Sequence, residues 1–225
     1  MKHKFVMLVV SLFIFSTQGA HTASAVQDRW KFLKNQDEIE IYQRNFPGSN
    51  LKEFKGIMYV KGVRLSSMVA TFDDTRSYTR WMHNCTETKL LKYLNVHERL
   101  TYTVTHVPWP ASDRDTVVYS LMSQKPDDLT VTIDITGRPD YIPRMPDRVR
   151  IPMMKATWSF RPLKSGVVMV VYQTVTDPGG PLPLLLLNLS VIDLPFYTMY
   201  KFRKVIRERR YASSVYRVIE EPVVN

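Results

Sequence analysis

Arg114 stands between Asp113 and Asp115, at the end of a Val-Pro-Trp-Pro-Ala-Ser run that begins at Val107. A guanidinium in such a cluster has two uses. It can pair with a neighbouring carboxylate and fix a turn, or it can hold the polar head group of a ligand. Arg150 poses a sharper question, because it alternates with Val149 and Ile151. Pointing outward it is solvated; pointing inward it needs an acid or a ligand, since an unpaired buried charge is costly. Asp177-Pro178-Gly179-Gly180-Pro181 is the third notable run. Its paired glycines permit a tight turn at positive φ, and it lacks the Lys and Ser of a nucleotide-binding loop.

Metal and nucleophilic chemistry find little support. Beyond residue 25 the histidines are His83, His97 and His106, none paired at a spacing of three or four, and Cys85 is the single cysteine. Zinc-type sites need more ligands than that. No Gly-x-Ser-x-Gly elbow occurs, and Cys85 reads as a small buried hydrophobe. No metal or cofactor is expected. One enzymatic arrangement stays open. Arg114, Tyr119, Asp134 and Arg150 could supply an acid/base set of the cyclase/aromatase kind, provided they converge in a cavity.

The elements that must position these residues are mostly strands. Residues 38–44, 52–60, 100–107, 116–124, 129–137, 157–163 and 167–176 are rich in β-branched and aromatic side chains and are broken by Gly, Pro or Asp turns. They read as an antiparallel sheet. Residues 100–107 alternate strictly, with Thr101, Thr103 and Thr105 on one face. Lys164-Ser165-Gly166 reads as the turn before the last strand. Apolar spacing predicts a helix over 65–82, broken at Asp73-Asp74, and a long one over 183–211 that Pro195 should kink or interrupt. Residues 138–152 hold four prolines and read as a long ordered loop or an irregular strand entry. The tail after Ser213 has no partner visible in the sequence. Antiparallel strands followed by one long C-terminal helix make an α+β domain. A curved sheet around that helix leaves room, filled either by side chains or by a ligand.

The chain has 225 residues. Lys2 and Lys4, an apolar run over 5–15 and Ala23-Ser24-Ala25 predict a cleaved signal peptide over 1–25, followed by one domain over 26–213 and a tail over 214–225. The apolar run is too short to cross a bilayer core. The expected location is the periplasm or the extracellular space. Removing Lys2 and Lys4 lowers the formal charge from +10 to +8. A basic surface suits an anionic membrane, and export disfavours nucleic acid. Nothing in the sequence requires more than a monomer.

Taken together, the three runs resemble the StAR-related lipid-transfer (START) domain family. The Pro-Trp-Pro stretch ends in Ser112-Asp113-Arg114-Asp115. Val149-Arg150 precedes a Trp strand, Trp158 to Pro162. The Asp-Pro-Gly-Gly-Pro-Leu-Pro turn leads to a Leu-rich helix and Asn188. The order holds from about residue 30 to about residue 211, and the signal peptide and tail depart from the family pattern. The resemblance implies a helix-grip fold: a curved antiparallel sheet wrapped around a long C-terminal helix, with an internal hydrophobic cavity. It also implies non-enzymatic binding or transfer of a sterol, a phospholipid or a fatty acyl compound, and it assigns no catalytic set.

Candidate ligand contacts on strands and loops are Tyr102, Trp109, Arg114, Tyr119, Met122, Arg150, Trp158, Met169 and Val171. Those on the helix are Leu184, Leu187, Asn188 and Val191. Strand parity leaves open whether an alternate side chain on the same strand is the true liner. The expected gate combines the C-terminal helix with loop 138–152. Lys201, Arg203, Lys204, Arg207, Arg209 and Arg210 would attract an anionic bilayer. Two other readings stay open: the cyclase/aromatase enzyme, and an interaction protein whose interior is filled by its own side chains.

Overall fold

The structure, a computed structural model, describes residues 29–181 and 184–223, with Ser165 and residues 184–192 described by their backbone alone. The segment read as a signal peptide lies outside the described residues. Ten strands form one sheet: β1 (Lys31–Gln36), β2 (Ile39–Asn45), β3 (Lys52–Lys61), β4 (Cys85–Asn95), β5 (Glu98–Thr105), β6 (Arg114–Gln124), β7 (Val131–Gly137), β8 (Val149–Arg150), β9 (Met153–Pro162) and β10 (Val167–Asp177). The order is β1-β2-β3-β10-β9-β7-β6-β5-β4, antiparallel throughout, and the short β8 pairs in parallel with β6. The helices are α1 (Leu65–Asp73), α2 (Tyr78–Trp81), α3 (Leu184–Val205) and α4 (Arg209–Ala212).

β1 and β4 are absent from the sequence reading. They are the two edges of the sheet. Both carry lysines where a half-buried strand would carry apolar residues, which weakens their alternation and blunts edge-to-edge pairing. The other strands fall where the alternation places them, and the Lys164–Gly166 turn is a 3-10 turn. α1 stops at Asp73, one residue before the expected break is complete.

The long helix differs from expectation at two points. It runs through Pro195 without interruption and ends at Val205; α4 follows as a separate turn. An internal proline costs about 3 kcal/mol. Burial of Phe196, Met199, Phe202 and Val205 against the sheet offsets that cost. Gly56 lets the helix come close, because a Cβ there would overlap the Met199 thioether.

The tail after Ser213 has partners that its sequence does not advertise. α1 has no side-chain cap of its own. Instead Glu221 accepts hydrogen bonds from the Leu65 and Ser66 amides at 3.0 and 2.8 Å. Ile219 is buried in the main core. Tyr216 donates to Asp73, and the Gln124 side chain pairs with the Glu220 backbone through two 2.8 Å bonds.

Candidate functional site

The register decides which side chains meet the helix. Met122 pairs with Ile133, Ile133 with Trp158, and Trp158 with Tyr172. This row faces α3. Near the α3 C-terminus the inner face is filled by aromatic rings. Phe202 lies 4.9 Å from Trp158, 5.2 Å from Trp81 and 5.5 Å from Phe72, centroid to centroid. Trp158 stacks on Tyr172 at 4.2 Å. A void of about 10 Å³ beside Phe72, Arg99 and Met122 has room for one water at most.

Toward the start of α3 the inner face changes character. Period-two alternation places Ala156, Thr174, Ile135, Ser120, Val118, Thr101, Thr103 and Thr116 there. Small and hydroxylic residues have replaced the rings. The Thr101 hydroxyl is buried and has no hydrogen-bond partner among the described residues. A buried hydroxyl normally has one; the Ser67, Thr75 and Thr130 hydroxyls share this unpartnered state among the described residues. The turn that leads into α3 is held at this end by Arg114, which donates to the carbonyls of Pro178, Gly179 and Pro181, and the helix begins Leu-rich in sequence.

The Thr face of β5 therefore points inward. Its apolar face, Leu100, Tyr102 and Val104, packs on the outer side with Val117, Tyr119 and Ile142. The proline-rich segment 138–152 supplies Ile142 and covers that outer cluster, so the apolar stripe and the helix lie on opposite sides of the sheet.

Among the candidate contacts the structure brings Met122 and Trp158 together on the inner face, both within the packed half. Four others belong elsewhere. Tyr102 and Tyr119 lie in the outer cluster. Met169 and Val171 pair with Tyr59 and Ile57 and face outward; Val170 and Tyr172 are the inward residues of β10. A shift of one residue reverses every side chain of a strand, and that shift is the physical reason for the correction. Trp109 is 89% exposed on the β5–β6 loop. The side chains of Leu184, Leu187, Asn188 and Val191 lie outside the described residues.

The two arginines turn out to be internal clamps. Arg150 and Asp115 form a bidentate pair at 2.9 and 2.8 Å with both side chains wholly buried. Arg150 also donates to the carbonyls of Pro139, Ile142 and Pro143. Its bonds to the Asp115 carboxylate hold its guanidinium above its ordinary pKa, against the opposing effect of burial. Arg148 adds bonds to Tyr102 and Glu87 at 2.8 Å. Segment 138–152 is thus fastened to the sheet, which is poor construction for a gate. Arg114 pairs with neither neighbouring acid. It is buried and donates to the carbonyls of Ser112, Pro178, Gly179 and Pro181, so it fixes the turn that launches α3. Gly179 and Gly180 adopt positive φ there and pack against Val149.

The residues considered for acid/base work do not converge. Arg114 is on the inner face, while Tyr119, Asp134 and Arg150 are on the outer one. Tyr119 donates to Glu98, and Asp134 accepts from Thr157. Three basic residues of α3 and the turn after it have protein acceptors at the end opposite the Gly-Gly turn. Arg203 donates to the Asp37 carbonyl, Arg207 to the Lys61 carbonyl, and Arg210 to Glu208.

The sequence model of the START domain matches residues 17–193. This chain is a START domain. A solved STAR-related lipid transfer protein fragment from Xanthomonas axonopodis is 32% identical, with a TM-score of 0.72, covering 80% of this START domain chain and 99% of that one. An uncharacterized protein of Pseudomonas aeruginosa is 31% identical over 203 residues, 90% of this chain and 97% of its own length. Human StAR-related lipid transfer protein 5 shares the fold at 18% identity and a TM-score of 0.68, covering 80% and 88% of the two chains. The helix-grip architecture of the START fold accounts for the bent sheet and the long C-terminal helix.

Proposed function

We propose that this START domain holds one lipid, a sterol, phospholipid or fatty acyl compound, between the hydroxyl-lined half of its inner face and the first half of α3. It carries that lipid between membranes without altering it. The observation that carries this reading is the change along the inner face, from interlocked rings to Ala, Ser and Thr. Family membership and the Xanthomonas lipid transfer protein support it. The unpartnered Thr101 hydroxyl marks where a polar group of the ligand would be met.

The physical need for such a carrier is large. At roughly 0.8 kcal/mol per CH₂, two sixteen-carbon chains cost on the order of 25 kcal/mol to expose to water. A protein that keeps the chains dry removes most of that barrier. The basic residue excess draws the domain to an anionic bilayer for transient contact. Lys2, Lys4, the apolar run and Ala23-Ser24-Ala25 favour work outside the cytoplasm, as a monomer in the periplasm or the surrounding medium.

Organic extraction of the purified protein, followed by mass spectrometry, tests the reading. Recovery of lipid in near-equal molar amount is expected. A protein that yields none, and that binds no fluorescent fatty acyl probe, would instead have an interior filled by its own side chains. Turnover of a co-purified polyketide would point to an enzyme.

A further inference from the structure

Arg203 and Lys204 stand in the last turn of α3, and Arg207 follows in the turn after it. The negative end of the helix dipole favours cations there, although like charges this close repel. The dipole does not account for what meets them. The end of β3 brings Tyr59 and Lys61, and the β1–β2 hairpin brings Asp37 and Glu38. Together these residues line an open groove of about 580 Å³, a size that fits a small organic ligand. Four cations face two acids in it, so the groove favours an anion.

The two arginines are aimed rather than neutralised. Arg203 donates to the Asp37 carbonyl at 2.7 Å, and Arg207 to the Lys61 carbonyl at 3.1 Å. A neutral carbonyl fixes a guanidinium without cancelling its charge, and each fork keeps further N–H donors. Glu38 approaches Arg203 only to 3.8 Å, with its side chain 91% exposed, and an ion pair in that setting is weak. Lys204 lies over the Tyr200 ring, 4.2 Å from its centroid, which leaves its charge intact. The Lys61 ammonium has no acceptor among the described residues. The hairpin is also held in a costly shape. Asp37 and Glu38 sit at positive φ, 49° and 58°, where Asn-Gly is the usual choice. Backbone held in this way clusters at ligand clamps, and here it presents the carbonyl that orients Arg203.

We propose that this groove is a binding site for a phosphate group, carried either by a soluble phosphorylated compound or by a lipid headgroup. Two pinned guanidiniums match phosphate oxygens through paired hydrogen bonds. Lys61 and Lys204 add point charges, and the Tyr59 hydroxyl, on a side chain 54% exposed, adds a donor. A carboxylate brings two oxygens and one charge; a phosphate brings three oxygens and nearly two charges, which suits four cations better. The site lies at the end of α3 away from the Gly-Gly turn and stands apart from the lipid-carrier reading, so either can fail alone.

The test is a titration of the isotope-labelled protein with sodium pyrophosphate, followed by amide chemical shifts at a constant ionic strength of about 0.15 M. The Lys61, Arg203 and Arg207 amides should shift and saturate with a Kd below about 1 mM. Sodium chloride at the same ionic strength should not move them. The double variant Lys61→Gln, Lys204→Gln should bind pyrophosphate at least about tenfold more weakly. Both lysines are exposed, and an unchanged melting temperature checks that the variant is folded. No saturable shift in wild type, or an unchanged Kd in the folded double variant, overturns the proposal. Sedimentation with vesicles of phosphatidylcholine and phosphatidic acid then separates the two sources. Wild type that sediments and is released by pyrophosphate supports a lipid headgroup. Wild type that binds pyrophosphate and stays in solution supports a soluble compound.

Discussion

Trp158, Phe160 and Phe202 interlock at one end of the inner face, and two residues further along the same strand as Trp158 stands Ala156, flanked across the ladder by Thr174 and Ile135. The two regions share strands, sheet curvature and a covering helix. They differ in side-chain volume. The ringed half spends its volume on stability; the small-residue half is where the proposed guest would sit. Arg150 with Asp115 fastens the outer side at the far end of the small-residue half, and the tail holds α1 beside the ringed half.

Truncation should expose that contrast most strongly at Phe202. Phe202→Ala removes a buried ring from the packed half, and denaturant unfolding should show a loss of about 3–5 kcal/mol. Asp115→Ala strands a buried guanidinium and should cost about 3–5 kcal/mol. The same variant should raise amide exchange across 138–152, which the pair holds down. Glu221→Ala takes the cap from α1 and should cost about 1 kcal/mol, with exchange rising first in the Leu65 and Ser66 amides.

His83 probes the seam where α3 meets the start of β4. Its ring lies 4.9 Å from the Tyr197 ring, tilted by 30°, and its Nδ1 sits 3.5 Å from Lys201 Nζ. Burial, with Lys201 second, holds its pKa below the ordinary imidazole range. As pH falls the unfolded chain takes up the proton first. The contribution to stability is therefore complete above about pH 6.5 and is lost as pH falls through the lower folded value. Melting temperature should drop between about pH 7 and about pH 5, and His83→Asn should flatten that part of the profile. The smallest expected effect belongs to the small-residue half. Thr101→Val replaces an unpartnered hydroxyl with a methyl group. It should leave stability within about 1 kcal/mol of wild type or raise it, while lowering affinity for a ligand that bonds to that hydroxyl.

The inner strands and the Gly-Gly turn were legible because their patterns are local. Alternation marks a strand whichever way it faces, and Asp177 to Pro181 can do little but turn. The faces were not legible. Leu100, Tyr102 and Val104 look like the helix-facing stripe until segment 138–152 is known to cover the other side. Met169 and Val171 were misplaced by the same ambiguity of one residue. The edges β1 and β4 were silent because exposure on one flank erases the apolar pattern. Arg114 and Arg150 carried a family motif, yet only the folded chain shows that they tie down the turn into α3 and segment 138–152. Trp109 was conspicuous in sequence, and its exposure alone separates it from the interior.

The claim that a guest occupies the space beside Ala156 is tested most directly by filling that space. Ala156→Trp places an indole on the inner face between Thr174 and Ile135. Titration with a fluorescent fatty acyl probe, alongside a melting curve, should show binding reduced by at least about tenfold in a protein that still melts cooperatively. A folded Ala156→Trp variant that binds the probe as tightly as wild type would contradict the account.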